Sequence, residues 1–124
     1  MRVHLRGFTL IELLVVLAII AVLLTIATPR YLDHVTRARE ATLRESLLVM
    51  RDAIDKYHGD TGEYPRDLKN LVEKRYLRKL PTDPITGRDD TWVELAQPDK
   101  PGRLYDIRSG AEGQGLDGTA YAEW

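Results

Sequence analysis

Glu12 stands inside a run of apolar residues that begins at Phe8. A charged side chain deep in a membrane-spanning helix costs about 2.5–3.5 kcal/mol. Near the end of such a run part of that cost is escaped by reaching toward water, which would leave Glu12 an interfacial acid with no task. The alternative is a positive partner. No Lys, Arg or His lies between residues 7 and 29, so that partner must come from another chain or from a newly made amino terminus. Other groups able to do chemistry are sparse. His4, His34 and His58 share no metal-ligand spacing with cysteine, which the chain lacks, and neither an HExxH nor a GxSxG motif occurs. His58 with Asp55, Asp60 and Glu63 makes a polar cluster that a solvated helix end explains. No glycine-rich phosphate loop precedes a helix. The expectation is a protein that is not an enzyme.

The element that must position Glu12 is the apolar run itself. From Phe8 to Thr28 only Thr9, Glu12, Thr25 and Thr28 are not plainly apolar, and a helix of that span reaches roughly 30 Å, the thickness of a bilayer's hydrocarbon layer. Arg2, His4 and Arg6 precede it and place that end in the cytoplasm, with the rest of the chain outside, although Arg30 and Arg37 weaken the contrast. A cleaved secretory signal, cut after Ala27 in "TIAT", is the rival; the run is long for a signal core and carries an acid near its charged end. The remainder of the 124 residues is strongly polar, with 18 Lys and Arg against 19 Asp and Glu and no basic patch that would make nucleic acid a partner. Without cysteine no disulfide stabilises it.

Beyond the run, Pro29 either loosens the helix or starts a second one at its first turn. Leu43, Leu47, Met50, Ile54 and Tyr57 then recur at helical spacing as one apolar stripe, preceded by Leu32 and Val35. Arg37, Arg39, Arg44, Glu45, Arg51, Asp52 and Lys56 make up the opposite, solvated face. "HGDTGEYP" ends the helix. "PRDLKNLVEKRYL" reads as a short helix with Leu68, Leu71, Val72 and Tyr76 turned inward, and "KLPTDPITGRDD" as a loop. "TWVELA" and "RLYDIR" alternate as strands of a small antiparallel sheet around the turn "QPDKPG". The fold class is α+β, with a long helix at the amino terminus packed on a small head.

"RG-FTLIE" followed by a long apolar helix resembles the class III leader of type IV pilins and of the pseudopilins of type II secretion. "GEYP" before a short helix, "YLRKLPTDP" after it and "YDIRSGAEG" further on are similar to the major pseudopilin, which favours a secretion pseudopilus over a surface type IV pilus. The resemblance implies a leader at residues 1–7, a transmembrane and polymerisation helix at 8–28, its amphipathic continuation at 29–58 and a periplasmic head at 59–124. It implies cleavage after Gly7 by a prepilin peptidase, methylation of the new amino-terminal Phe8, and pairing of Glu12 with the Phe8 amine of a neighbouring subunit. Such a pair would set axial register, as a polar residue does in a coiled-coil seam. Implied partners are further copies of the chain, minor pseudopilins, the peptidase, an inner-membrane assembly platform and membrane lipid.

Relatives of this type bind calcium near the carboxyl end, and here that region reads "SGAEGQGLDGTAYAEW". Ser109, Glu112 and Asp117 are the oxygen donors it offers, with Asp106 or Glu123 able to join. Glu112 stands where the family tends to have Asp, the loop is a residue short after Ser109, and Ile85 and Thr86 follow Asp83-Pro84 where an aromatic residue is common. A glycine-rich turn with scattered acids and no metal is the other reading of the same residues.

Overall fold

A computed structural model describes residues 6–124. Within them the chain forms two compact units, one ending at Val35 and one spanning Thr36–Trp124. Arg2 and His4, on which the expected orientation partly rests, lie outside the described residues, as does most of the leader.

Helix α1, Leu10–Thr61, is one continuous element belonging to both units. It starts at a capping box: Thr9 Oγ1 accepts from the Glu12 amide at 3.2 Å, and the Glu12 carboxylate accepts from the Thr9 amide at 3.4 Å. From Leu10 to Thr28 the side chains other than Glu12 and the two threonines are apolar on every side of the helix and all are exposed, and this stretch is long and apolar enough to cross a membrane. Its threonines satisfy their own hydroxyls: Thr25 donates to the Val22 carbonyl at 2.6 Å and Thr28 to that of Leu24 at 2.7 Å. Pro29 lies inside α1, so the helix neither stops nor restarts there. It also runs past the expected end at residue 58, to Thr61.

The second unit is built on the stripe that periodicity picks out. Leu43, Leu47, Met50 and Ile54 are fully buried, and Tyr57 packs at the edge of the core they form with Leu68, Leu71, Leu77, Trp92, Leu104 and Ile107. Helix α2, Leu68–Glu73, is capped by Asp67, whose carboxylate accepts from the Asn70 amide at 2.7 Å. The first free amide of α2, at Leu68, is taken by the Glu94 carboxylate of the sheet at 2.8 Å. The helix ends sooner than expected because Arg75 adopts φ +63°. The Arg75 amide bonds the Val72 carbonyl and that of Tyr76 the Leu71 carbonyl, the paired bonds of a Schellman motif, which usually has glycine at this position.

Strands β1, Trp92–Gln97, and β2, Lys100–Ser109, form an antiparallel pair with register Trp92 to Ser109 and Leu95 to Asp106. Strict alternation would put Leu104 and Ile107 on opposite faces of β2. The register slips between Leu95 and Ala96, so one extra residue is accommodated around Tyr105, and both side chains enter the core. A second slip lies next to the turn, where Gly102 takes φ +82°. The segment after β2 ends in a single 3₁₀ turn, Tyr121–Glu123.

Candidate functional site

The amino-terminal residues chosen from the sequence fall where chemistry on the chain is accessible. Residues 6–9 are not helical, and Gly7 and Phe8 are exposed, Phe8 by 89%. The Gly7–Phe8 peptide bond thus sits in irregular chain directly before the first helical turn. Hydrolysis there would leave an amine on Phe8 beside the positive end of a helix whose N3 residue is Glu12. In the single chain Glu12 is not orphaned, because the capping box engages it. That bond, at 3.4 Å to a neutral amide, is long, and Glu12 is exposed. A cationic amine would be the stronger partner. Thr9, not singled out as functional from the sequence, fixes where the carboxylate sits; the Thr-x-x-Glu spacing before an apolar run is the signal that finds it.

The three oxygen donors near the carboxyl end are not brought together. Ser109 is fully buried, and its hydroxyl donates to the Asp83 carboxylate at 2.6 Å while accepting from the Ala111 amide at 3.1 Å. Asp83, also fully buried, accepts in addition from the Ile85 amide at 2.8 Å, so the pair organises the loop after Asp83-Pro84. Asp117 accepts from the Thr119 amide at 3.0 Å and hydroxyl at 2.6 Å, and its other oxygen receives Arg44 at 3.2 Å. The bonds from Thr119, with Arg44 adding to them, hold its carboxyl below the usual carboxylate range. Glu112 is exposed. Asp106 is taken by Arg51 at 3.0 Å. Among the described residues no three His, Asp or Glu side chains gather as a metal cluster. Calcium requires six to eight convergent oxygens, and the donors as placed do not fit it.

What does hold this segment was not legible as a site. Between Gly113 and Tyr121 the chain closes on itself through bonds from Gly115 to the Thr119 carbonyl at 2.8 Å and from Tyr121 to that of Gly113 at 3.2 Å. Glu40 of α1, 9% exposed, accepts from the Leu116 amide at 2.8 Å and the Tyr121 hydroxyl at 3.0 Å. Burial, and then the bond to Glu40, raises the Tyr121 phenol above its ordinary value. Arg51, expected on a solvated face, instead bonds Asp106, the Ile107 carbonyl at 2.9 Å and the Trp124 carbonyl at 2.5 Å. The expected polar cluster around His58 is dispersed: His58 stacks on Tyr64, Asp60 accepts from Tyr76, and Glu63 pairs with Arg103.

Comparisons with known proteins bear on both ends of the chain. The family signature described as "Prokaryotic N-terminal methylation motif" matches residues 4–28. The type II secretion system core protein G of Pectobacterium carotovorum subsp. carotovorum is 31% identical over 124 residues, covering 87% of this chain and 77% of that one. Its counterpart in Escherichia coli (strain K12) is 29% identical over 125 residues, covering 88% and 83%. Fimbrial protein EcpC of Eikenella corrodens is 40% identical, but over 62 residues, half of this chain and 40% of its own. No solved structure matches the chain. Similarity to core protein G covers more than four fifths of the chain, and the chain belongs to the type II secretion system core protein G family, whose members are pilin-like structural subunits.

Proposed function

We propose that this chain is the repeating subunit of a type II secretion pseudopilus, stored in the inner membrane and polymerised into a periplasmic filament that moves folded cargo outward. One observation carries the reading: a carboxylate in the first turn of a helix whose first stretch is apolar and exposed, shortly after a Gly-Phe bond in irregular chain. Cleavage after Gly7 creates the cation that the apolar run lacks, and methylation keeps that amine basic. Pairing it with Glu12 of a neighbouring subunit neutralises two charges that lipid cannot solvate, which favours assembled over free subunits. The exposed apolar surface is covered by lipid before assembly and by other subunits after it. The charges that precede the helix in the sequence, Arg2, His4 and Arg6, support a periplasmic head, and the peptidase, the assembly platform and minor pseudopilins are its partners in this reading.

A secretion pseudopilus is favoured over a surface pilus because similarity to core protein G spans nearly the whole chain, whereas the fimbrial relative matches half of it. The test is intact mass spectrometry of the chain purified from membranes that contain a prepilin peptidase. The expected product starts at Phe8 and carries one added methyl group, and Gly7→Ala stays uncut. Glu12→Ala should be processed normally yet fail to form filaments. A wild-type product starting after Ala27, or filaments of wild-type length from Glu12→Ala, would refute the reading.

A further inference from the structure

Three charged residues of α1 converge on the segment that follows β2. Glu40, Arg44 and Arg51 lie at spacings that share one helix face. Glu40 receives the Leu116 amide and the Tyr121 hydroxyl. Arg44 donates to Asp117 at 3.2 Å and lies over the Trp124 ring, its guanidinium carbon 3.9 Å from the centroid. The Trp124 ring in turn donates to the Thr119 hydroxyl at 2.6 Å, and its carbonyl is held by Arg51. Gly115 is required by this packing, since a Cβ there would strike the Trp124 ring and crowd the Asp117 carboxylate.

A divalent cation in a loop of this kind does two things. It neutralises carboxylates turned inward, and it ties the loop to the fold by binding several of its oxygens. Here both are done by side chains. Asp117 is neutralised by a guanidinium rooted in α1, and the loop is tied down by the Glu40 carboxylate, the Arg44–Trp124 stack and the Arg51 bond. An ion approaching Asp117 would meet a resident positive charge. It would also have to strip the Ser109 hydroxyl from buried Asp83 or Asp106 from Arg51. We propose that in this chain Glu40 and Arg44 fasten the segment Gly110–Trp124 in place of a divalent cation, so that the head folds and stays folded without calcium. The proposal is independent of the filament role.

The experiment uses the full chain in detergent, melted in excess calcium chloride and in EGTA, with terbium luminescence sensitised by the tryptophans as a direct probe of binding. The wild type should melt at one temperature in both buffers and give no saturable terbium signal. Arg44→Gln, a change at an exposed side chain that the fold tolerates, should melt about 3–8 °C lower in EGTA. The Leu116 and Thr119 amides should exchange faster in that variant, and Arg44→Lys, which keeps the charge, should recover part of the loss. Calcium stabilising the wild type, a saturable terbium signal from it, or Arg44→Gln melting with the wild type would each overturn the proposal.

Discussion

Replacing Glu40 tests the fastening at its most buried point. The carboxylate is 9% exposed and accepts from the Leu116 amide and the Tyr121 hydroxyl. Glu40→Leu leaves both donors without an acceptor in a site with little access to water. A net hydrogen bond to a charged group contributes about 1.5–3 kcal/mol, so two of them give a gross loss of about 3–6 kcal/mol. Against this stands the desolvation cost of the carboxylate, several kcal/mol for a fully buried ion and less here, together with a small gain from an apolar side chain at that position. The net expectation is a loss of about 2 kcal/mol for Glu40→Leu and about 1 kcal/mol for Glu40→Gln, which keeps a carbonyl acceptor. At about 4–8 °C per kcal/mol for a domain of this size, the melting temperature should fall by roughly 8–16 °C and 4–8 °C respectively. Thermal melts followed by circular dichroism measure the loss, and hydrogen exchange at the Leu116 amide locates it. A double-mutant cycle with Tyr121→Phe should return a coupling of about 1 kcal/mol. Glu40→Leu melting with the wild type, or Leu116 keeping its protection in that variant, would refute the fastening.

Arg75→Gly should stabilise the head by about 0.5–1 kcal/mol, because the left-handed φ of +63° strains an L residue but not glycine; Arg75→Ala should give no gain, and thermal melts separate the two. The raised phenol of Tyr121 gives stability that is fully present below the unfolded tyrosine value, near pH 10, and is lost as pH rises through the higher folded value. Melting temperatures followed into that alkaline range should fall in the wild type, and Tyr121→Phe should lack that component of the fall.

The parts of the fold that were legible from the residues are those where one periodicity governs a whole element. The stripe of Leu43, Leu47, Met50 and Ile54 gave the core face of α1, and the apolar run gave the exposed first stretch. The misses share a cause, a tertiary partner that local pattern cannot see. Arg51 sits on the helix face that sequence spacing assigns to water, yet β2 and Trp124 reach it. Leu104 and Ile107 share a face only because the strand slips by a residue. Ser109 reads as a metal donor by resemblance alone, and its partner Asp83 is distant in sequence and contributes from another loop. Arg75 carries no signal at all, since arginine is not a residue that marks a left-handed turn. Glu40 did carry one: it extends the 43–47–50–54 stripe by a step toward the amino terminus, an acid in an apolar row.

Glu12 and Glu40 therefore pose one physical problem with two solutions. Each is a carboxylate on a helix where its neighbours prefer to be dry, and each must find donors or be penalised. Glu40 finds two within its own chain, from residues far along the sequence, and its charge is spent on closing the head. Glu12 finds, among the described residues, only the long bond of its own first turn, to the amide of Thr9. The bond to the amide carries charge on the acceptor side alone, whereas an ammonium also cancels the charge of the carboxylate in a medium that solvates neither, so exchanging that amide for an amine is favoured when a second subunit supplies it. The exchange leaves the other half of the capping box in place, because Thr9 still accepts from the Glu12 amide, so the helix need not fray when the carboxylate changes partner. Thr9→Ala separates the two functions of this first turn: it should loosen the helix start while leaving the Glu12 charge available, and so weaken filament assembly less than Glu12→Ala does.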